Sequence, residues 1–232
     1  MWRSIAQSVQ GPSHAADGSP CQDSHAFAGL GTGTAQTLVA CVADGAGSAK
    51  HSDAGSALTC QTILDSADAF FGAGGQLEHL TRDDVVRWCR VARERIEQAA
   101  RARECEPRAM AATICAAVIT PQHACFFQIG DGAIILRRNG VYGVAFWPQS
   151  GEYANSTNFI TSDNFDQRLE FISTPAGFTD IALMTDGLER LALQFDTQTP
   201  HVPFFDPFFR AIRTAEDYLG LNQARGKFLA SG

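Results

Sequence analysis

The sequence is poor in the residues that most readily announce a function. It has no Cys-x-x-Cys pair and no mixed cluster of His and Cys, which excludes zinc as a structural metal; its seven cysteines read as buried free thiols of a reducing cytoplasm. It has no basic surplus. With 18 Lys and Arg against 25 Asp and Glu, the net charge is −7, and a chain with that balance cannot neutralise phosphates as a general nucleic-acid binder must. No apolar run reaches the roughly 18 residues of a membrane span, and Met1-Trp2-Arg3-Ser4-Ile5-Ala6-Gln7 lacks the apolar core of a secretion signal. A membrane partner is therefore excluded and a cytoplasmic location expected. There is no Gly-x-Ser-x-Gly elbow for a serine hydrolase. Cys89 and Arg95 have the spacing of a cysteine phosphatase loop, but Cys89 falls within the buried stripe of a helix, whose amides are already bonded and cannot cradle a phosphate.

What is present is an ordinary globular composition, 45% hydrophobic and 19% charged, over 232 residues, which fits one well-buried domain better than two. Loose alternation over residues 2–10 suggests a first strand, and His25–Ala28 a second. Gly29–Thr34 is a glycine-rich turn with no Lys-Ser/Thr helix behind it, so it is not a phosphate loop. Thr37–Ala43 is short and β-branched enough to be a buried strand. A helix follows over about 53–71, with Ala54, Ala57, Leu58, Leu64, Ala67 and Phe71 on one face. Thr81-Arg82-Asp83-Asp84 is a capping box opening a second helix to about Arg103, with Val85, Trp88, Cys89, Ala92, Ile96 and Ala99 as its buried stripe. Strands are expected at 112–119, 124–129 and 133–146, the last folded into a hairpin by Asn139-Gly140, and again at 180–185. Helical pieces are expected near 203–213 and 216–230. Residues 148–167 form a long polar loop, the natural place for a flap and for selectivity through Tyr153, Asn155, Asn158 and Phe159. Strands separated by a helical pair, with helices at the end, predict two antiparallel sheets with helices outside them.

Four aspartates share one setting. Asp23, Asp44, Asp131 and Asp186 each stand where a strand meets a turn, and the last three are followed directly by glycine. Carboxylates brought together repel one another and call for cations. Oxygen ligands without Cys or His select hard ions, Mg²⁺ or Mn²⁺. Such a pair of ions can activate a water and polarise a phosphoryl group.

Cys21-Gln22-Asp23-Ser24, Val42-Ala43-Asp44-Gly45-Ala46-Gly47, Gly130-Asp131-Gly132 and Met184-Thr185-Asp186-Gly187, in that order, resemble the motifs of the metal-dependent protein serine/threonine phosphatases of type 2C, in particular the small bacterial single-domain branch. The resemblance implies a single-domain α-β-β-α sandwich with a binuclear Mn²⁺ or Mg²⁺ centre where the sheets meet. It further implies hydrolysis of phosphoserine and phosphothreonine on proteins, by in-line attack of a water held between the two ions. On that reading Asp44 bridges the metals and the Gly45 carbonyl ligates one. Asp186 ligates the other, Asp131 serves a third ion, and Gln22 and Asp23 act through metal-bound waters. Partners would be a phosphorylated protein and a cognate kinase.

Three departures accompany the resemblance. The loop that carries a phosphate-holding arginine in the family has only His14 here. Ala46 stands where the family has a histidine, leaving His14 or His51 to supply the acid. The family's closing Asp pair and final strand have no counterpart before Gly232, so a domain lacking its last strand and last metal ligand is expected. The alternative function is a catalytically impaired module of the same fold that binds a phosphoprotein or a kinase.

Overall fold

Ile114–Ile119 (β3) is buried at every position, as a strand with layers on both sides must be, and its alternation builds the architecture. Cys115, Ala117 and Ile119 point one way into a cluster with Phe126, Ile134 and Phe146. Ile114, Ala116 and Val118 point the other way into a cluster with Val39, Cys41, Phe127, Trp88 and Ile96. A period of two thus divides one strand between two cores. The computed structural model describes residues 2–11, 16, 18–31, 36–149, 157–216 and 221.

The larger sheet joins Ser24–Leu30 (β1), Thr37–Ala43 (β2), β3, His123–Ile129 (β4) and Glu170–Pro175 (β7) in that order, all antiparallel. Register aligns Ala26, Cys41, Ala116, Phe127 and Phe171 in one row, and that row faces two helices, Ser52–Gly72 (α1) and Arg82–Ala102 (α2). The capping box at the start of α2 is present in both directions: Thr81 accepts from Asp84 N–H, and the Asp84 side chain accepts from Thr81 N–H. The smaller sheet orders Val141–Val144 (β6), Ala133–Arg138 (β5) and Phe178–Met184 (β8). Its β5–β6 hairpin closes through Asn139 and Gly140, both at positive φ. Ile134 faces the larger sheet, while Ile135 and Met184 face the outer helix Val202–Thr214 (α5) through Phe205 and Phe209. The result is the expected α-β-β-α sandwich. Short turns of helix at Phe165–Arg168 (α3) and Glu189–Ala192 (α4) and a two-stranded ribbon, Leu193–Gln194 (β9) with Thr199–Pro200 (β10), complete the described elements. No helix among the described residues is long and apolar enough to cross a membrane, and all seven cysteines are free thiols.

Several expectations need correction. Residues 2–10 form no strand; Trp2 packs on the inter-sheet cluster, and Arg3 donates to the carbonyls of Ile212, Arg213 and Ala215 at the end of α5. The strand β7 falls where no element was expected, between the loop 148–167 and the strand 180–185, because its half-exposed, Pro-terminated sequence carries the weak pattern of an edge strand. Helix α1 buries Ser52, Gly55, Ser56, Thr59, Cys60, Thr62, Ile63 and Ala67. Of the predicted stripe Ala67 is buried, Ala54, Leu58, Leu64 and Phe71 are partly buried against the same core, and Ala57 is exposed. Small residues let the helix approach closely: a Cβ on Gly55 would lie 2.0 Å from Met110 O. Between β8 and α4 the chain makes a single 3-10 turn, Asp186–Leu188. The expected helix 216–230 and residues 150–156 of the long loop, including Tyr153 and Asn155, lie outside the described residues apart from positions 216 and 221.

One ion network fastens α5 to the smaller sheet. Asp180, 5% exposed, accepts from Arg213, from Arg137 at 3.4 Å and from the Thr179 hydroxyl at 3.1 Å. Arg137 in turn lies over Tyr142, whose hydroxyl donates to Asp206 at 2.8 Å. Asp180→Ala would remove the buried acceptor that Arg137 and Arg213 share, and because both arginines are partly open to solvent it is expected to cost about 1–3 kcal/mol in denaturant unfolding. Asp65→Ala removes an exposed pair with Arg95 and an exposed hydrogen bond from Gln61, and the same measurement should register less than about 1 kcal/mol.

Candidate metal centre

Strand β2 delivers Asp44 at the end of its buried run, and the turn that follows is clamped from both sides. On one side Thr113 N–H donates to Asp44 O at 2.8 Å, Ala46 N–H to Ala111 O at 2.9 Å and His51 N–H to Ala109 O at 2.8 Å. The Asp44 N–H donates to the Thr113 hydroxyl at 2.9 Å. On the other side Gly45 N–H donates to Gln22 O at 3.1 Å, and the Ser56 hydroxyl of α1 donates to that same carbonyl at 2.6 Å. The small polar face of α1 therefore fixes the backbone leading into Asp23, and Gly45 holds it against Asp44.

Asp131 is reached through a second built turn. Strand β4 ends at Ile129, Gly130 turns at φ +114, and Gln149 holds the turn open. Its Oε1 accepts from Gly130 N–H at 3.0 Å and from Asn158 Nδ2 at 3.1 Å, while its Nε2 donates to Glu170 at 2.9 Å. Fully buried Gln128 donates to Gly130 O at 3.2 Å and accepts from the Cys115 thiol at 3.2 Å. Asp186 follows β8, opens its 3-10 turn and is exposed. It stands at the mouth of the site, with Asp44 further in.

These turns bring the four aspartates into electrostatic contact. Burial, the charges of Asp23 and Asp186, a hydrogen bond with Asp186 and the charge of Asp131 push the Asp44 carboxyl up to about 9. Asp131 is raised by burial and by Asp186. Two further groups join them. Glu189 on α4 is raised by burial and by Asp186 and Asp131, and the Cys21 thiol by burial, Asp23 and Asp44. The sequence reading passed over Glu189, although its place three residues after Asp186, one helical turn on, was a usable signal. It also passed over Thr113 and Gln149, whose roles depend on register and long-range contact. Of the two histidines considered as acids, His51 is the N-cap of α1, and His14 lies outside the described residues.

The donor set suits a hard divalent cation. Every group is an oxygen apart from Cys21, Asp131 Oδ1 is buried without a hydrogen-bond partner, and no hydrogen bond between described residues uses the Gly45 carbonyl. Among the described residues no three carboxylate, imidazole or thiol groups form a ready-made sphere. A mainly apolar cavity of about 550 Å³ between β1–β2, β8 and α5 includes none of the four aspartates in its lining.

A family model for protein phosphatase 2C matches residues 10–230. The chain belongs to the protein phosphatase 2C family. Serine/threonine-protein phosphatase 3 of Escherichia coli is 34% identical to this 2C-family chain over 217 residues, 92% of the chain and 84% of the relative. A serine/threonine phosphatase from Staphylococcus aureus has the same fold at a TM-score of 0.58 and 12% identity, covering 83% of each chain. The S. agalactiae serine/threonine phosphatase superposes at 0.52 with 16% identity, over 90% of this chain and 86% of its own. The expected family and sandwich fold are both borne out, and the expectation of a protein phosphatase holds at the level of the family.

Proposed function

We propose that the protein hydrolyses phosphoserine and phosphothreonine on proteins in a metal-dependent reaction, and that the whole chain works as one phosphatase domain. The observation that carries this reading is the set of four strand-end carboxylates brought together by two backbone clamps. Burial and the neighbouring charges raise the proton affinity of Asp44 and Asp131, which makes a cation the natural occupant of the site. Asp44, the Gly45 carbonyl, Asp131 and Asp186 would hold the ions, with Asp23 and Gln22 beside them. Two Mn²⁺ or Mg²⁺ ions would supply an activated water and polarise the phosphoryl oxygens.

The chain's own contribution is positional. Rigid strand ends fix the carboxylates relative to one another, and Asp186 at the mouth lets a surface phosphoresidue approach without unfolding its own protein. Ala46 cannot move a proton, so the leaving alkoxide must draw one from elsewhere in the site or from solvent. The substrate is a phosphorylated protein, with a kinase that makes it as functional counterpart.

The direct test is hydrolysis of p-nitrophenyl phosphate and of a phosphothreonine peptide with and without Mn²⁺. Turnover that appears with Mn²⁺ and disappears with chelator is the expected result. Phosphopeptide binding without turnover at saturating Mn²⁺ would move the protein to the alternative class, a binding module on a phosphatase fold.

A further inference from the structure

We propose that Thr113 is a positioning residue that sets the Asp44 turn and the Gly130-Asp131 turn against each other. The idea rests on the phosphatase reading for its consequence, but its geometry stands apart from that reading. Thr113 immediately precedes β3 and is 3% exposed. Two of its polar groups are spent on one residue: the hydroxyl accepts from Asp44 N–H at 2.9 Å, and its own N–H donates to Asp44 O at 2.8 Å. The neighbouring pair Gly45 and Ala112 forms an isolated antiparallel bridge, so this contact extends β2–β3 pairing past the end of both strands.

The other end of the same side chain meets the second turn. Ile114 pairs with Ile129 across β3 and β4, which places Gly130 opposite Thr113. A Cβ built on Gly130 would fall 2.5 Å from Thr113 Cγ2 and 2.6 Å from Thr113 Cβ. The Gly130 backbone therefore rests on the threonine methyl. One small side chain presents its hydroxyl to the residue that carries one carboxylate and its methyl to the residue before another. Serine could supply only the first contact and valine only the second.

That division makes the proposal testable with two conservative variants of the full chain, Thr113→Val and Thr113→Ser. Three quantities are read: Mn²⁺ affinity by calorimetry, kcat and KM for p-nitrophenyl phosphate, and hydrogen exchange of the Asp44 and Gly130 amides. Thr113→Val should weaken Mn²⁺ binding and lower kcat by about tenfold or more with KM within about twofold, the scale of lost support behind a metal ligand. The Asp44 amide should exchange about tenfold faster in Thr113→Val, because its acceptor is gone. Thr113→Ser should keep that amide protected but, with the methyl under Gly130 gone, let the Gly130 amide exchange faster and lower kcat by about threefold, less than Thr113→Val does. A residue that merely filled space would shift melting temperature in both variants and leave Mn²⁺ affinity and the Asp44 amide alone. Unchanged Asp44 protection in Thr113→Val, or equal losses in the two variants, would overturn the proposal. If the wild-type protein showed no turnover, the phosphatase reading would fail by itself, and amide exchange with the Mn²⁺ titration would still decide the role of Thr113.

Discussion

Replacing Asp44 by asparagine is expected to lower Mn²⁺-dependent turnover on the order of 10³-fold, about 4 kcal/mol of barrier, while making the metal-free protein more stable at alkaline pH. The two halves have one cause. Asp44 is hemmed in by Asp23, Asp186 and Asp131 and raised from 3.8 to about 9. On the proposed metal-dependent reading, that crowding would hold the ions. Without ions, the folded protein keeps a proton on Asp44 that the unfolded chain has already released. The sign follows from linkage: stability falls with rising pH wherever the native state binds more protons than the unfolded state. The contribution is therefore fully present below about pH 4 and lost progressively up to about pH 9. Asp131 and Glu189, raised for the same reasons, act with the same sign. Asparagine is neutral throughout and removes the Asp44 share. Thermal unfolding in chelator from about pH 5 to about pH 9 checks this: wild type should lose melting temperature with rising pH more steeply than Asp44→Asn. Parallel slopes would show that the repulsion resides on other carboxylates, and undiminished turnover would remove Asp44 from the metal site altogether.

How much of this was legible in the sequence depends on the range of the interaction concerned. The strands β2 and β3, the capping box of α2 and the Asn139-Gly140 hairpin were readable because each is fixed by its own residues. Asp44, Asp131 and Asp186 were readable for the same reason, since a carboxylate at a strand end followed by glycine is a local pattern, and Asp23 through its place where a turn-rich loop meets β1. Their convergence was not local. It follows from register, which lines up Val42, Cys115, Gln128 and Glu170 in one row toward the site end of the sandwich. Thr113 and Gln149 owe their contacts to that register and carry no local mark. The small polar part of the α1 packing face was not legible for a related reason. Hydrophobic periodicity finds faces that bury large side chains, whereas α1 approaches its neighbours through Gly55, Ser56 and Thr59, where closeness rather than apolar area is the requirement. β7 was lost because an edge strand half open to solvent needs no alternation.

The three Asp-Gly pairs look alike in sequence, and the structure separates them. Gly45→Ala is expected to cost on the order of 100-fold in turnover, the penalty for displacing a reacting geometry by about an ångström. It should also cost about 1–3 kcal/mol of stability from overpacking. A Cβ at Gly45 would sit 2.6 Å from Ser52 O, 2.7 Å from Ser52 C and 2.8 Å from Gln22 O. All three are backbone atoms, so no side chain can swing aside. Ser52 is the first residue of α1 and fully buried, and Gln22 leads directly into Asp23. Relief of the clash must move the helix start, the strand bearing Asp23 or Asp44 itself. Gly187→Ala is the control. Nothing lies within 4 Å of a Cβ there, and Gly187 is not among the glycines at positive φ, so stability should stay within about 0.5 kcal/mol. Urea unfolding and kcat for p-nitrophenyl phosphate, measured on both variants, separate the cases. Equal tolerance at the two positions would mean that the glycine after Asp44 serves no close approach, and the clamp between Gln22 and Thr113 would then not be what holds the first carboxylate in place.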